Sequence, residues 1–324
     1  MGRSTGLAGP EGATADTPHL TATARDGDPE GPERSPGPGD RAGRPGPGAR
    51  YEPTAPPGDR AREPSGTPGE PRPADVPDAP DPYREAVERV GATLEAVFAV
   101  VAGTGDDTAA LLSDAARTGR APRSADLAPL RPGLRDRLGR HPLVSGVGFV
   151  AAPGLLDDVP GWLEWWQRGP DGTTRPLLLD LDPGHTAYSD YTHWDWYTLP
   201  RDTGRRTVAG PYVDYLCSDE YGLTLSVPVV LDGAFAGVAA ADVYLRHFEA
   251  AVLPELQRLP APARLVSARG RVAASTDPAH LAGSLTRGPD TAAALAGPPS
   301  GHRADGLRLL PCAGTPFVLV TAED

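Results

Sequence analysis

An α+β fold is what the sequence predicts, a long N-terminal helix followed by two antiparallel-sheet modules, the first larger than the second. Three observations predict it. Apolar residues recur at three- and four-residue spacing from Tyr83 to Val101, which lines one face of a helix. From Leu143 onward the pattern changes to short β-branched and aromatic runs closed by turn residues. Those runs come in two sets, one on each side of a helical pattern at Phe248, Val252, Leu253 and Leu256, and sheets with helices at their ends make an α+β architecture.

Residues 1–81 contain Pro-Gly repeats and almost no large apolar side chains. Such a segment cannot offset a backbone entropy cost of about 1–2 kcal/mol per residue, so it is expected to be a disordered extension. Order is expected to begin at Asp81-Pro82, an N-cap followed by proline at the first helical position. The first helix is expected to end near Gly103. Asp106–Thr118 and Asp126–Arg140 are further helical candidates, the second interrupted by Arg131-Pro132-Gly133, and together they make a helical preface over 82–142.

The first sheet module is placed at 143–260. Val144–Ala151 is its first strand, and Gly161–Gln167 pairs with Arg175–Leu181 across a turn at Pro170-Asp171-Gly172. Trp162, Trp165 and Trp166 are assigned to the core of that sheet, as large aromatics on half-buried strands usually are. Strands follow at Tyr212–Tyr215, Leu223–Leu231 and Ala234–Leu245, the last two joined by Asp232-Gly233, a strong hairpin signal. A helix stops at Pro260. The smaller module, 261–324, has a hairpin at Arg264–Ser275 turning at Arg269-Gly270, then strands at Leu307–Leu310 and Pro316–Thr321.

Composition excludes several functions. The formal charge is -12 over 324 residues, which argues against a nucleic-acid partner. All 31 basic residues are Arg, so neither a Schiff-base lysine nor a P-loop is available. Two cysteines, Cys217 and Cys312, are too few for a disulfide framework. No run approaches the roughly 20 apolar residues of a membrane span, and no secretory signal is visible at the N-terminus. The expectation from these features is a cytoplasmic chain with no membrane segment.

The candidate site is the densest aromatic stretch. Tyr188-Ser189-Asp190-Tyr191-Thr192-His193-Trp194-Asp195-Trp196-Tyr197 carries five aromatics in a chain that is 6% aromatic. Downstream lie Gly210-Pro211-Tyr212-Val213-Asp214-Tyr215 and Ala240-Ala241-Asp242-Val243. His185 and His193, with Asp190 and Asp195, could instead build a metal-dependent hydrolase. No HExxH spacing or Gly-x-Ser-x-Gly elbow accompanies them, so a non-catalytic reading without cofactor is preferred.

The ordered series of long helix, hairpin, Trp-Tyr, Gly-Pro-Tyr-x-Asp, Leu-Thr-Leu-Ser-Val-Pro-Val, Asp-Gly-x-Phe-x-Gly-Val and Ala-Asp-Val resembles the Cache sensor domains. Those are extracellular relatives of the PAS fold found in bacterial chemoreceptors and sensor kinases. The run Leu265–Asp277 resembles the smaller module of the double-Cache arrangement. The resemblance implies two PAS-like modules over about 83–323, with the ligand in the first. It also implies a ligand wall of Trp196, Tyr197, Tyr212, Asp214 and Asp242, joined by Tyr188 and Trp194 at the neighbouring positions.

Members that bind amino acids have an arginine two residues before the Trp-Tyr pair, where this chain has Trp194. Without that arginine a ligand carboxylate would face two aspartates with no charge-assisted partner. The expected ligand is therefore an organic amine or quaternary ammonium held by two aspartates and an aromatic cage, with an amino acid as the alternative. A separate signalling partner or a homodimer would carry the output.

Overall fold

The structure is a computed structural model, and it describes residues 81–169, 171–215 and 219–323. The expected extension at 1–81, all but Asp81, and Pro170 and Cys217 lie outside the described residues. Helix α1, Pro82–Arg117, opens as the sequence implies: the Asp81 carboxylate accepts the Tyr83 N–H at 3.0 Å, with Pro82 at the first position. It does not stop at Gly103. The two expected helices are one, because Gly105 sits where the helix crosses the sheet. A Cβ there would lie 3.4–3.7 Å from Val227, Ala239 and Val229. Packing onto the sheet overrides the helix-breaking tendency of the glycines, and Val90, Leu94, Val97, Val101 and Leu112 are buried along that face.

A 3-10 turn at Ser124–Leu127 leads into α2, Leu130–Arg140, with Arg131-Pro132-Gly133 inside its first turn. Among the described residues seventeen elements follow one another, and the strands form two antiparallel sheets. The larger contains β1 (Gly146–Ala151), β2 (Leu163–Arg168), β3 (Thr174–Pro176), β4 (Thr207–Val213), β5 (Tyr221–Leu231) and β6 (Ala234–Tyr244) in the order β3-β2-β1-β6-β5-β4. The chain thus builds one edge hairpin, crosses through an irregular stretch and helix α3, Asp195–Thr203, and returns through β4 to β6. The expected strand at Arg175–Leu181 is limited to β3, and Leu177–Leu181 leave the sheet as a strap. Asp232 and Gly233 close the β5–β6 hairpin with φ of 50° and 80°, the left-handed pair a tight turn needs.

Helix α4, Leu245–Leu256, connects to the smaller sheet, where β7 (Ala263–Ser267), β8 (Val272–Ser275), β9 (His302–Ala304), β10 (Leu307–Pro311) and β11 (Phe317–Ala322) run in the order β8-β7-β11-β10-β9. A short helix, α5, Thr291–Ala296, and strand β9 had no clear signal in the sequence. The sheets share a core: Phe248 of α4 stacks on Phe317 of β11 at 5.6 Å, and Arg308 of β10 pairs with Asp81 at the start of α1. A long N-terminal helix followed by two antiparallel modules is the observed architecture.

Residue alternation sorts the faces of the larger sheet. Ala239, Ala241 and Val243 on β6, with Leu223 and Leu225 on β5, belong to the core cluster that α1 shares. Val238 and Ala240 on β6 and Val150 on β1 belong to a second cluster with Tyr191 and Tyr197. By the two-residue period of a strand, Asp242, Thr224 and Ser226 share this second face.

Candidate functional site

A cavity of about 50 Å³ opens on the second face of the larger sheet. Four of the residues expected there line it: Trp196, Tyr212, Asp214 and Asp242. Their register explains why. Asp242 on β6 lies opposite Thr224 on β5 and Gly146 on β1, so its side chain rises between a threonine hydroxyl and a residue with no side chain.

The polar end is a chain of hydrogen bonds. The Thr224 hydroxyl donates to Asp242 Oδ1 at 2.7 Å, and Tyr212 Oη is bonded to Thr224 Oγ1. Tyr212 reaches it from β4, after a bulge between Ala209 and Tyr212 that shifts its register against β5. Asp242 keeps some accessible surface where it borders the cavity, yet its carboxyl is set deep among protein atoms. Desolvation there, with the charge of Asp214 as the second cause, pushes its pKa up to about 7 against the opposing pull of the Thr224 hydrogen bond. Arg246, a sequence-adjacent candidate partner for the site carboxylates, pairs instead with Glu220.

The other end is apolar. Val150, Leu163, Trp165 and Trp196 line it together with Leu177 and Leu179 from the strap and Tyr191 from the irregular stretch. Tyr191 is held there by a hydrogen bond from its hydroxyl to the Ala151 carbonyl at 2.9 Å. Trp196 is held by its own carbonyl, which accepts from the Ser226 hydroxyl at 2.7 Å. Trp165 lies flat over β1 because residues 146 and 148 are glycines. A Cβ on Gly146 would sit 2.8 Å from the indole Nε1, and one on Gly148 would sit 2.2 Å from the Glu164 carbonyl oxygen.

Three expected ligand residues do not line the cavity. Tyr197 is 1% exposed and packs edge-on against Tyr191, Trp196 and Phe235, so it braces the aromatic wall from behind. Burial raises its phenol pKa to about 12. Trp194 caps α3 and stacks on Tyr212 at 6.1 Å, supporting that ring from outside the cavity. Tyr188 is half-buried, and desolvation followed by the charge of Asp190 raises its pKa. Trp165, Tyr191 and Thr224 were not among the expected ligand residues. Trp165 is buried in the core, as expected, and also borders the cavity.

His185 and His193 do not come together. His185 sits 3.1 Å from Asp180, His193 sits 3.6 Å from Asp190, and both side chains are 62% exposed. Among the described residues no group of three or more His, Cys, Asp or Glu could hold a metal ion.

Residues 178–250, which carry much of this cavity wall, match a family described as the methyl-accepting chemotaxis protein-like first PDC sensor domain. Over 136 residues the chain is 26% identical to methyl-accepting chemotaxis protein TlpQ of Pseudomonas aeruginosa; the match covers 36% of this chain and 19% of that protein's length. Among solved structures, the extracellular domain of mmHK1S-Z3, described as a histidine kinase, superposes with a TM-score of 0.52 at 17% identity, covering 75% of this chain and 94% of that one. The fold is that of a Cache sensor domain in the double-Cache arrangement.

A more distant likeness is the ligand-binding domain of the Pseudomonas aeruginosa amino acid chemoreceptor PctC in complex with GABA, with a TM-score of 0.43 and 19% identity over 74% of this chain and 97% of that one. The expected cytoplasmic location is corrected by these comparisons: solved structures with this fold include extracellular domains. The expectation rested on a missing apolar run. Among the described residues no helix is long and apolar enough to cross a membrane, and that observation does not report a compartment.

Proposed function

We propose that the larger module of this Cache domain binds a small organic cation, with the ammonium between Asp214 and Asp242 and the body against the aromatic and aliphatic end. One observation carries this reading: among the described residues, the eleven lining the cavity include two carboxylates and no basic side chain. A desolvated carboxylate pair is costly to ionise, and a bound cation offsets part of that cost. Trp165, Tyr191, Trp196 and Tyr212 add π surfaces, each worth about 0.5–2 kcal/mol to a desolvated cation.

An amino acid is the second reading. It keeps the ammonium at the same two aspartates and adds a carboxylate at the other end. The apolar character of Val150, Leu163, Leu177 and Leu179 favours a ligand without a carboxylate, since none of them can donate a hydrogen bond from its side chain.

A thermal-shift screen of the full chain tests this, with aliphatic amines, quaternary ammonium ions, α-amino acids and organic acids each at millimolar concentration. Stabilisation follows RT ln(1 + [L]/Kd), so a micromolar ligand at millimolar concentration gives about 4 kcal/mol. The expected result is stabilisation by amines and none by organic acids. Stabilisation by ordinary α-amino acids and not by amines would favour the second reading.

A further inference from the structure

Part of the cavity wall is not held in the sheet. Leu177 and Leu179 of the strap, and Tyr191 after it, line the cavity, and the chain between them runs out as a loop exposed at 183–187. The Leu177 N–H ties the strap to β2 by donating to the Trp165 carbonyl at 3.0 Å. The loop is closed at its base, where the Ser189 N–H donates to the Asp180 carbonyl at 2.8 Å. Its two ends dock side by side: a Cβ on Gly161 would lie 3.1 Å from the Leu181 carbonyl oxygen and 3.3 Å from the Tyr191 hydroxyl. A loop that keeps its shape keeps both ends over the cavity, and one that opens gains chain entropy that works against docking them.

Inside this loop a histidine has carboxylates on both ring nitrogens. His185 Nδ1 is 3.2 and 3.1 Å from the two carboxylate oxygens of Asp180, and Nε2 is 3.7 Å from Asp182 Oδ2. A neutral imidazole has one N–H and one lone pair, and an ionised carboxylate only accepts. One nitrogen of a neutral ring therefore turns its lone pair toward a negative group, whereas the charged ring presents a donor to each. Both partners belong to the closure itself: the Asp180 carbonyl takes the Ser189 N–H, and the Asp182 carbonyl takes the His185 N–H at 3.0 Å. Among the described residues no arginine pairs with either carboxylate. The other titratable groups of the stretch are Tyr188, Asp190 and His193, whose Nδ1 lies 3.6 Å from Asp190 Oδ2.

We propose that the strap and its loop are a pH-sensitive lid: in mildly acid solution a charged His185 bridges Asp180 and Asp182, fixes the loop and holds Leu177, Leu179 and Tyr191 over the cavity. Histidine is the side chain suited to this, since its charge changes between about pH 5 and 8. Loss of the proton loosens the lid. His185 is 62% exposed and exposed ion pairs are weak, so the change in loop opening is about two- to fivefold. The lid acts on any molecule the cavity admits and does not depend on the organic-cation reading.

The test is hydrogen exchange of the ligand-free full chain at about pH 5.5 and about pH 7.5, with labelling times scaled for the pH dependence of intrinsic exchange. It is read at the Leu177 amide, which reports docking of the strap, and at the Ser189 amide, which reports closure of the loop. Protection at both is expected to be about two- to fivefold greater at the lower pH in the unmodified protein, with no such gain in His185→Gln. His185→Arg, charged throughout, is expected to be protected at both pH values. Asp242 takes up a proton over the same range, but it does so in the unmodified protein and in His185→Gln alike, so its effect cancels between them. The same gain in both proteins, or no gain in either, would overturn the proposal and leave the organic-cation reading standing. If His185→Gln loosens the loop at both pH values, His185→Arg decides: protection at the higher pH no greater than that of the unmodified protein would overturn the proposal.

Discussion

Thr224 and Asp242 face each other across the β5–β6 hairpin, and the threonine hydroxyl donates to the aspartate carboxylate at 2.7 Å. The hairpin is closed by Asp232-Gly233, so a turn eight residues beyond Thr224 fixes which residue stands beside the charge. That pairing joins a local sequence signal to the chemistry of the cavity.

The first prediction concerns the empty site and pH. The Asp242 pKa is raised from 3.8 to about 7 by burial and by Asp214. The folded protein therefore holds a proton over a range in which the unfolded chain has already lost it. The contribution of this group to stability is fully present below about pH 4 and is lost as pH rises through about 7. Asp242→Asn stays neutral throughout, so the ligand-free variant is expected to be more stable than the unmodified protein at pH 8, by up to a few kcal/mol, and equal to it near pH 4. Urea unfolding at the two pH values checks this. An equal or lower stability of the variant at pH 8 would contradict it.

Cation binding should show the same proton in reverse. An aliphatic amine stays protonated well above pH 7, like lysine with a pKa of about 10.4, so the pH dependence below 7 belongs to the protein. Affinity for isobutylammonium is expected to fall by up to about tenfold per unit as pH drops below 7, with release of close to one proton per ion bound near pH 6. Titration in buffers of different ionisation enthalpy measures that release. A flat profile between pH 5 and 8 would show that Asp242 does not change charge on binding.

The glycines of β1 make a third prediction. Gly148→Ala would press a Cβ to 2.2 Å from a backbone oxygen of β2, and backbone in mid-sheet cannot step aside. It is expected to destabilise the domain by about 1–3 kcal/mol or more. Gly146→Ala meets only the Trp165 indole at 2.8 Å, so it should displace that ring and weaken ligand binding at a smaller cost in stability. Paired melting and titration of the two variants separates the effects.

Tyr197 and Tyr188 distinguish bracing from contact. Tyr197→Ala should lower stability by about 3–5 kcal/mol, as truncation of a buried aromatic does. Tyr188→Ala should leave both melting temperature and affinity close to those of the unmodified protein. Loss of binding in Tyr188→Ala with the fold intact would extend the site along the irregular stretch.

Sequence patterns revealed the architecture where the signal was local. The Asp81-Pro82 cap, the Asp232-Gly233 turn and the strand alternation of β5 and β6 each rest on a few adjacent residues, and each is present in the structure. The end of α1 was misread because Gly103 and Gly105 look like a stop in isolation, while the contact of Gly105 with the sheet depends on residues more than 100 positions away. The same distance hid part of the cavity wall. Trp165 faces the cavity side of β2 over Gly146 and Gly148, while Trp162 and Trp166 pack against the core that α1 shares. Thr224 stands in an apolar run, and only its pairing with Asp242 shows that its hydroxyl has work to do. Tyr197 and Trp194 belong to the dense stretch that marked the site, but the helical turn of α3 points Tyr197 into the core and sets Trp194 behind Tyr212.

The central claim is that a cation is held by Asp214 and Asp242, and calorimetric titration of isobutylammonium at pH 8 into the full chain, Asp214→Asn and Asp242→Asn tests it most directly. The account predicts measurable binding to the unmodified protein and a loss of about 100-fold or more in each variant, with the Asp242→Asn protein still cooperatively folded. Affinity within about twofold of the unmodified protein in both variants would contradict it.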